Sequence, residues 1–115
     1  MISPIGGSPG SMGPIGSNSP ASAKVFLDAS NIEHMGNLAS KMSPGISRDS
    51  VIQGMKDSMA DIQSTMKDNP GAFSQNAIGH ASDLTKSVDA FANAPQDSTA
   101  FHNLADDVVN LMSDC

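Results

Sequence analysis

Apolar residues recur every three or four positions after residue 24, which is the spacing that places side chains on one face of an α-helix. The clearest stripe consists of Ile52, Met55, Met59, Ile62 and Met66. Ser47 before it is a favourable N-cap residue, and Ile46 and Val51 are spaced for a hydrophobic staple. A Pro-Gly pair at 70–71 follows the stripe and cannot continue a helix. We therefore predict a helix over about residues 48–68.

The same spacing predicts three more helices. The first begins near Val25, or at Asn31 if residues 30–33 form a capping box, and is the shortest. The third spans about residues 71–93, with Asn69 as its N-cap and Pro70 at its first position. The fourth spans about residues 98–112, where either Asp97 or Ser98 is the cap.

Short links between the predicted helices favour antiparallel neighbours, and each apolar stripe needs a surface to pack against. We therefore predict an all-α fold, a small up-and-down bundle of three long helices and a short first helix. The alternative is an open helical hairpin that completes its core against another chain or a second copy.

The N-terminal segment differs in composition from the rest of the chain. Residues 1–23 contain no charged side chain, but they hold four of the seven prolines and five of the ten glycines. Such a composition cannot build a core, so we predict a disordered arm over residues 1–23 and a helical domain over residues 24–115. The arm lacks the basic start and continuous apolar run of a Sec signal peptide, and no later run predicts a membrane span.

The chain is acidic, with a formal net charge of −6. Clustered Lys and Arg residues, which nucleic acids and anionic membranes require, are absent, so a protein partner is expected. The size and the scarcity of aromatic residues predict a thin core and a low stability.

Groups that could carry chemistry are sparse. His80 and Asp83 lie one helical turn apart, but two ligands do not make a metal site. A thiol at Cys115 is poorly placed to be held in attack geometry. We nominate no catalytic, cofactor-binding or metal-ligating residue.

Methionines are concentrated in the predicted helices, where they either pack in the core or form a surface that adapts to partners. We nominate the stripe on the second helix as the partner-binding surface, for another protein or for self-association: Ile52, Met55, Met59, Ile62 and Met66.

Residues 1–22 are rich in Ser, Gly, Pro and Ile, with Pro4 after Ile2 and no acidic residue in the first twelve positions. This segment resembles the uncleaved export signals of proteins that leave bacteria through type III secretion systems. The acidic composition without Trp is also similar to that of harpins and rhizobial nodulation outer proteins. The resemblance implies an effector that is secreted without a Sec signal, acts in virulence or symbiosis, and binds a host target, a secretion chaperone or the apparatus. A self-assembling needle or rod subunit and a cytoplasmic chaperone or regulator are the alternatives.

Overall fold

Four α-helices follow one another in the computed structural model, which describes residues 19–115. They are α1 (Pro20–Ser40), α2 (Ile46–Asp68), α3 (Gln75–Asn93) and α4 (Ser98–Ser113), and a 3-10 turn at Pro70–Ala72 joins α2 to α3. The predicted all-α fold is confirmed. The predicted disorder of the arm falls mainly on residues 1–18, which lie outside the described part of the chain.

Consecutive helices run antiparallel, and α4 closes the bundle by packing against α1 as well as α3. Between α1 and α2, Lys24 pairs with Asp61, whereas Met35 lies beside Gly54 near the other end. Between α3 and α4, His80 meets Asp114. Phe91 packs against Phe101 at the opposite end, with ring centroids 6.1 Å apart. The bundle is therefore up-and-down, as predicted.

The core is built from the predicted stripes. Each helix contributes four or five apolar side chains at helical spacing: Val25, Ala29, Ile32 and Ala39; Ile52, Met55, Met59 and Ile62; Ala77, Ala81, Leu84, Val88 and Phe91; Ala100, Leu104, Val108 and Leu111. Five of these seventeen are alanines and only one is aromatic. Small side chains allow the helices to approach closely but bury little apolar area each, so the core contributes a modest stabilisation.

The first helix is longer than predicted. It begins at Pro20 and spans 21 residues, because Ser19 is its N-cap and the Ser19 side chain accepts a hydrogen bond of 3.1 Å from the Ser22 amide. Pro20 occupies the first position, where its missing N–H costs nothing. Residues 20–23, predicted to belong to the arm, are therefore helical, and the capping box predicted at residues 30–33 lies inside α1.

Two other helix starts differ from the prediction. α2 begins at Ile46 after Gly45, whose φ of +154° is a conformation that favours glycine. Ile46 is 85% exposed, so the predicted staple is wrong. The N-cap of α3 is Ser74, which accepts a hydrogen bond from the Ala77 amide, whereas the Asn69 side chain donates back to the Thr65 carbonyl oxygen.

The other helix ends agree closely with the sequence. α2 ends at Asp68 and α3 at Asn93, and Asp97 caps α4 by accepting a hydrogen bond of 2.9 Å from the Thr99 amide. Within residues 19–115, no helix has both the length and the apolar character that crossing a bilayer requires.

Candidate binding groove

The stripe nominated for partner binding faces the inside of the bundle. Met55 and Ile62 are completely buried, Met59 and Ile52 are 3% and 8% exposed, and Met66 is partly buried against the core. A partner cannot reach Met55 or Ile62 while the bundle is closed. Binding through the whole stripe therefore stays a prediction that requires the helices to separate, whereas Met66 lies at the edge of the core.

A groove lies on the surface between α2 and α3, the neighbouring helices that pack least closely. We call it the α2/α3 groove. Its wider part has a volume of about 350 Å³ and is lined by Gln63, Met66, Ile78, Ala81, Ser82, Thr85 and Lys86. Small side chains on α3 leave this space open, while Ile78 is 41% exposed beside it. The groove thus offers an apolar floor and one accessible large apolar side chain.

A second hollow of about 210 Å³ continues along the same helix pair and is lined by Lys56, Met59, Ala60, Gln63, Thr85, Val88 and Asp89. The two hollows share Gln63 and Thr85. The Gln63 side-chain nitrogen donates to the Thr85 hydroxyl oxygen over 2.9 Å, and that hydroxyl donates to the Ala81 carbonyl oxygen over 3.0 Å. The hydrogen bond between Gln63 and Thr85 crosses the groove and links α2 to α3.

The rim of the groove carries charge of both signs. Lys86 borders the wider part, and Lys56 and Asp89 border the narrower part. Apolar contacts surrounded by a polar rim are the usual arrangement of a protein-binding surface, and methionine side chains can adapt to different partners. Met59 and Met66 are the two nominated residues that line the groove.

A charged cluster joins α1 to α2 on another side of the bundle. Lys24 donates a hydrogen bond to Asp61, and its Nζ lies 3.6 Å from Asp28 Oδ2, a buried atom without a hydrogen-bond partner among residues 19–115. Desolvation is the main cause that raises the pKa of Asp28 to about 6, and the neighbouring Asp61 carboxyl adds to it. The neighbouring Asp28 carboxyl, followed by the hydrogen bond from Lys24, lowers the pKa of Asp61. The Asp28 carboxyl is therefore the harder of the two to ionise, and Asp61 is the charged partner of Lys24.

His80 contacts the end of α4, and Cys115 packs against the core. His80 Nε2 lies 3.0 Å from Asp114 Oδ2, which joins α3 to the end of α4, so His80 is directed to Asp114 rather than to a metal shared with Asp83. Within the described residues, no three His, Cys, Asp or Glu side chains are placed to hold a metal ion. Burial raises the pKa of the half-buried Cys115 thiol, which disfavours the reactive thiolate.

No protein-family model, curated protein or solved structure matches this chain.

Sequence reasoning found the methionines of the α2/α3 groove but missed its α3 wall, where Ser82 and Thr85 face Gln63. Ile78 gave the only signal, since it lies one position after Ala77 and therefore on the flank of the α3 stripe. A large apolar residue on the flank of a helical stripe indicates either a wide core face or an exposed contact surface. The sequence alone did not distinguish between these two possibilities.

Proposed function

We propose that this chain is a non-enzymatic interaction protein that a bacterial type III system exports, and that its bundle binds a protein partner through the α2/α3 groove. The supporting observation is the division of the chain into two parts of different character. Residues 1–23 carry no charged side chain, and α1 begins near the end of this segment, with Ser19 as its N-cap and Pro20 at its first position. A Pro- and Gly-rich segment of this kind does not build a core, so its role in this proposal is to be recognised by other proteins.

The composition of the core supports export. A narrow secretion channel passes unfolded chains, so an exported protein benefits from a low free energy of unfolding. The buried apolar set relies on alanine and contains a single aromatic side chain, Phe91, and Asp28 places a desolvated carboxyl between α1 and α2. Both features reduce the free energy that unfolding costs.

The α2/α3 groove fits an amphipathic helix of the partner. The floor contributed by Met66 and Ala81, with Ile78 beside it, accepts apolar side chains spaced along one helix face. Lys86 at the rim favours an acidic residue on that partner helix next to its apolar side chains. Docking there leaves the core intact, because the fully buried side chains of the stripe stay in place.

Export is tested by deleting residues 2–18, which keeps the cap formed by Ser19 and Pro20. The full chain and the truncated chain are expressed in a type III-competent bacterium and in a matched strain whose secretion ATPase is inactive. We expect the full chain in the medium of the competent strain only, and the truncated chain in neither medium. Circular dichroism of both purified proteins should show the same helical bundle.

Equal amounts of both chains in the medium, or equal export from both strains, would contradict the export proposal. Export of neither chain would favour the cytoplasmic chaperone or regulator instead. Ser19 and Pro20 are retained because a longer deletion would also remove the N-cap of α1. A loss of export could then result from a loss of folding.

A further inference from the structure

The N-terminal segment joins the bundle at the level of the wider part of the α2/α3 groove. Lys24, in the second turn of α1, pairs with Asp61 on the antiparallel α2. The start of α1 at Pro20 therefore lies level with Met66, near the end of α2. Met66 and Ile78, which is in the first turn of α3, both line the wider part of the groove. The chain that precedes α1 thus leaves the bundle beside this hollow.

Residues 1–18, which we call the arm segment, are long enough to enter the groove. Neighbouring helix axes are about 8–10 Å apart, so a path from the start of α1 around α2 is roughly 15–20 Å long. An extended chain covers about 3.3 Å per residue, so this path takes roughly five or six residues. Counted back from Pro20, Ile15 and Met12 lie on either side of that distance. The residues before Met12 remain to follow the groove towards its narrower hollow.

The composition of the arm segment suits an apolar groove. It carries no charged side chain, so docking removes no charge of its own from water. Its three prolines lack an N–H group, which leaves fewer backbone donors to be paired against an apolar floor. Its largest side chains are apolar and match the floor formed by Met66 and Ala81. These side chains are Met1, Ile2, Ile5, Met12 and Ile15.

We propose that the arm segment occupies the α2/α3 groove of its own bundle and that an external partner must displace it. A short tether gives an effective concentration on the order of millimolar, so a contact that is weak for a free peptide suffices within one chain. Partner binding would then release the segment that the secretion apparatus is proposed to recognise. This inference rests on the proposed binding role of the groove, and docking itself does not depend on export.

Paramagnetic broadening of NMR signals tests the docking, on the full chain with Cys115→Ser and a nitroxide label at Ser11→Cys. We expect the label to broaden the amide signal of Thr85 in the groove much more than that of Val109, which is exposed on α4. Equal broadening at Thr85 and Val109, or broadening confined to α1, would overturn the proposal.

A blocked groove provides the matched comparison. Ser82 is exposed on the α3 wall, and Ser82→Arg should reduce the broadening at Thr85 at least about threefold, because the longer side chain fills the hollow. Ala90→Arg adds the same charge at an exposed position of α3 that does not line the groove, and it should leave the broadening unchanged. Circular dichroism should show that both variants keep the bundle. Equal effects of the two variants would contradict docking in the groove.

A synthetic peptide of residues 1–18 gives a second readout. Added to the chain that lacks residues 2–18, it should shift the NMR signals of Ser82 and Thr85, whereas the full chain should respond much less because its own segment is already in place. Ile15→Ser in the peptide should weaken binding at least about threefold. A truncated chain whose groove signals do not move at peptide concentrations of several millimolar would overturn the proposal.

The partner proposal and this inference can fail separately. If a photoreactive amino acid at Ile78 captures a partner while the arm segment never broadens Thr85, this inference is wrong and the proposed function stands. If the arm segment broadens Thr85 and Ile78 captures no other protein, the groove has its occupant within the chain, and the external partner is contradicted instead.

Discussion

Gly36 on α1 lies so close to Leu104 on α4 that a Cβ atom at position 36 would be 2.7 Å from the Leu104 Cδ2 atom. Glycine is unfavourable in the middle of a helix, and in the sequence Gly36 weakens the prediction of the first helix. The structure gives it a packing role. Without a side chain at position 36, α1 and α4 approach closely enough to bury Leu104 completely.

Gly36→Leu should therefore destabilise the bundle by about 1–3 kcal/mol, because the added side chain overpacks the α1–α4 contact. Gly79→Ala provides the contrast. Gly79 lies on α3 with nothing within 4 Å of its Cβ position, so alanine should raise the free energy of unfolding by about 0.5–1 kcal/mol. Urea titrations followed by circular dichroism measure both changes. Equal effects of the same sign would show that Gly36 is an ordinary surface glycine.

Core burial predicts a large difference between two isoleucines on α2. Ile62 is completely buried and Ile46 is 85% exposed. Ile62→Ala should lower the free energy of unfolding by about 2–5 kcal/mol, since it removes a buried side chain and leaves a cavity. Ile46→Ala should change it by less than about 0.5 kcal/mol. Thermal melts of the two variants that coincide would refute the assignment of the core face.

Stability should depend on pH through Asp28. Its pKa in the folded chain, about 6, lies above its ordinary value of 3.8, so the fold favours the protonated carboxyl. The stabilisation is complete below the ordinary pKa and is lost as the pH rises through about 6. Asp61, with its lowered pKa, acts in the opposite direction at lower pH.

Between pH 5 and pH 7 the Asp28 contribution to the free energy of unfolding should therefore fall by about 1 kcal/mol. Asp28→Asn cannot titrate and should remove this slope while raising stability near neutral pH. Asp89→Asn, a substitution at an exposed position on α3, is the control and should keep the slope. Urea unfolding at several pH values provides the measurement, and a slope that survives Asp28→Asn would assign the effect to another group.

The α2/α3 groove predicts a localised partner contact. A photoreactive amino acid at Ile78 should form one discrete protein adduct in cells, whereas the same amino acid at the exposed Ile46 should not. Once the adduct is identified, the purified partner should bind the native chain and bind Ile78→Asp more weakly by at least about tenfold. Unchanged binding of Ile78→Asp would place the contact elsewhere on the bundle.

Helical spacing was sufficient to predict the fold, because the bundle uses nearly every stripe in the sequence. The ends of α2 and α3 could also be predicted, because Pro70 and Pro95 follow them and a helix does not continue through proline. The starts of the helices were predicted less accurately. Ser19-Pro20 shares its composition with the arm, and Ser74 and Asn69 are equally capable caps, so local chemistry did not decide between them.

The candidate sites depend on distances between helices, which the spacing of residues along the sequence does not give. The sequence placed Ile62 and Met66 on one stripe, yet the structure buries the first and leaves the second at the edge of a groove. That difference arises because α2 packs more closely on α1 than on α3. Asp28 and Asp61 are 33 positions apart, so the opposite shifts of their pKa values could be found only from the packing of two helices.

Transfer of the arm to another protein tests the proposed function most directly. Residues 1–19 are fused to a reporter enzyme that the type III apparatus does not export by itself, and the medium is assayed for reporter activity. We predict export of the fusion from a type III-competent strain and none from the strain with an inactive secretion ATPase. A fusion that stays in the cells of both strains, or reaches the medium equally from both, would contradict the account of this chain as a type III-exported protein.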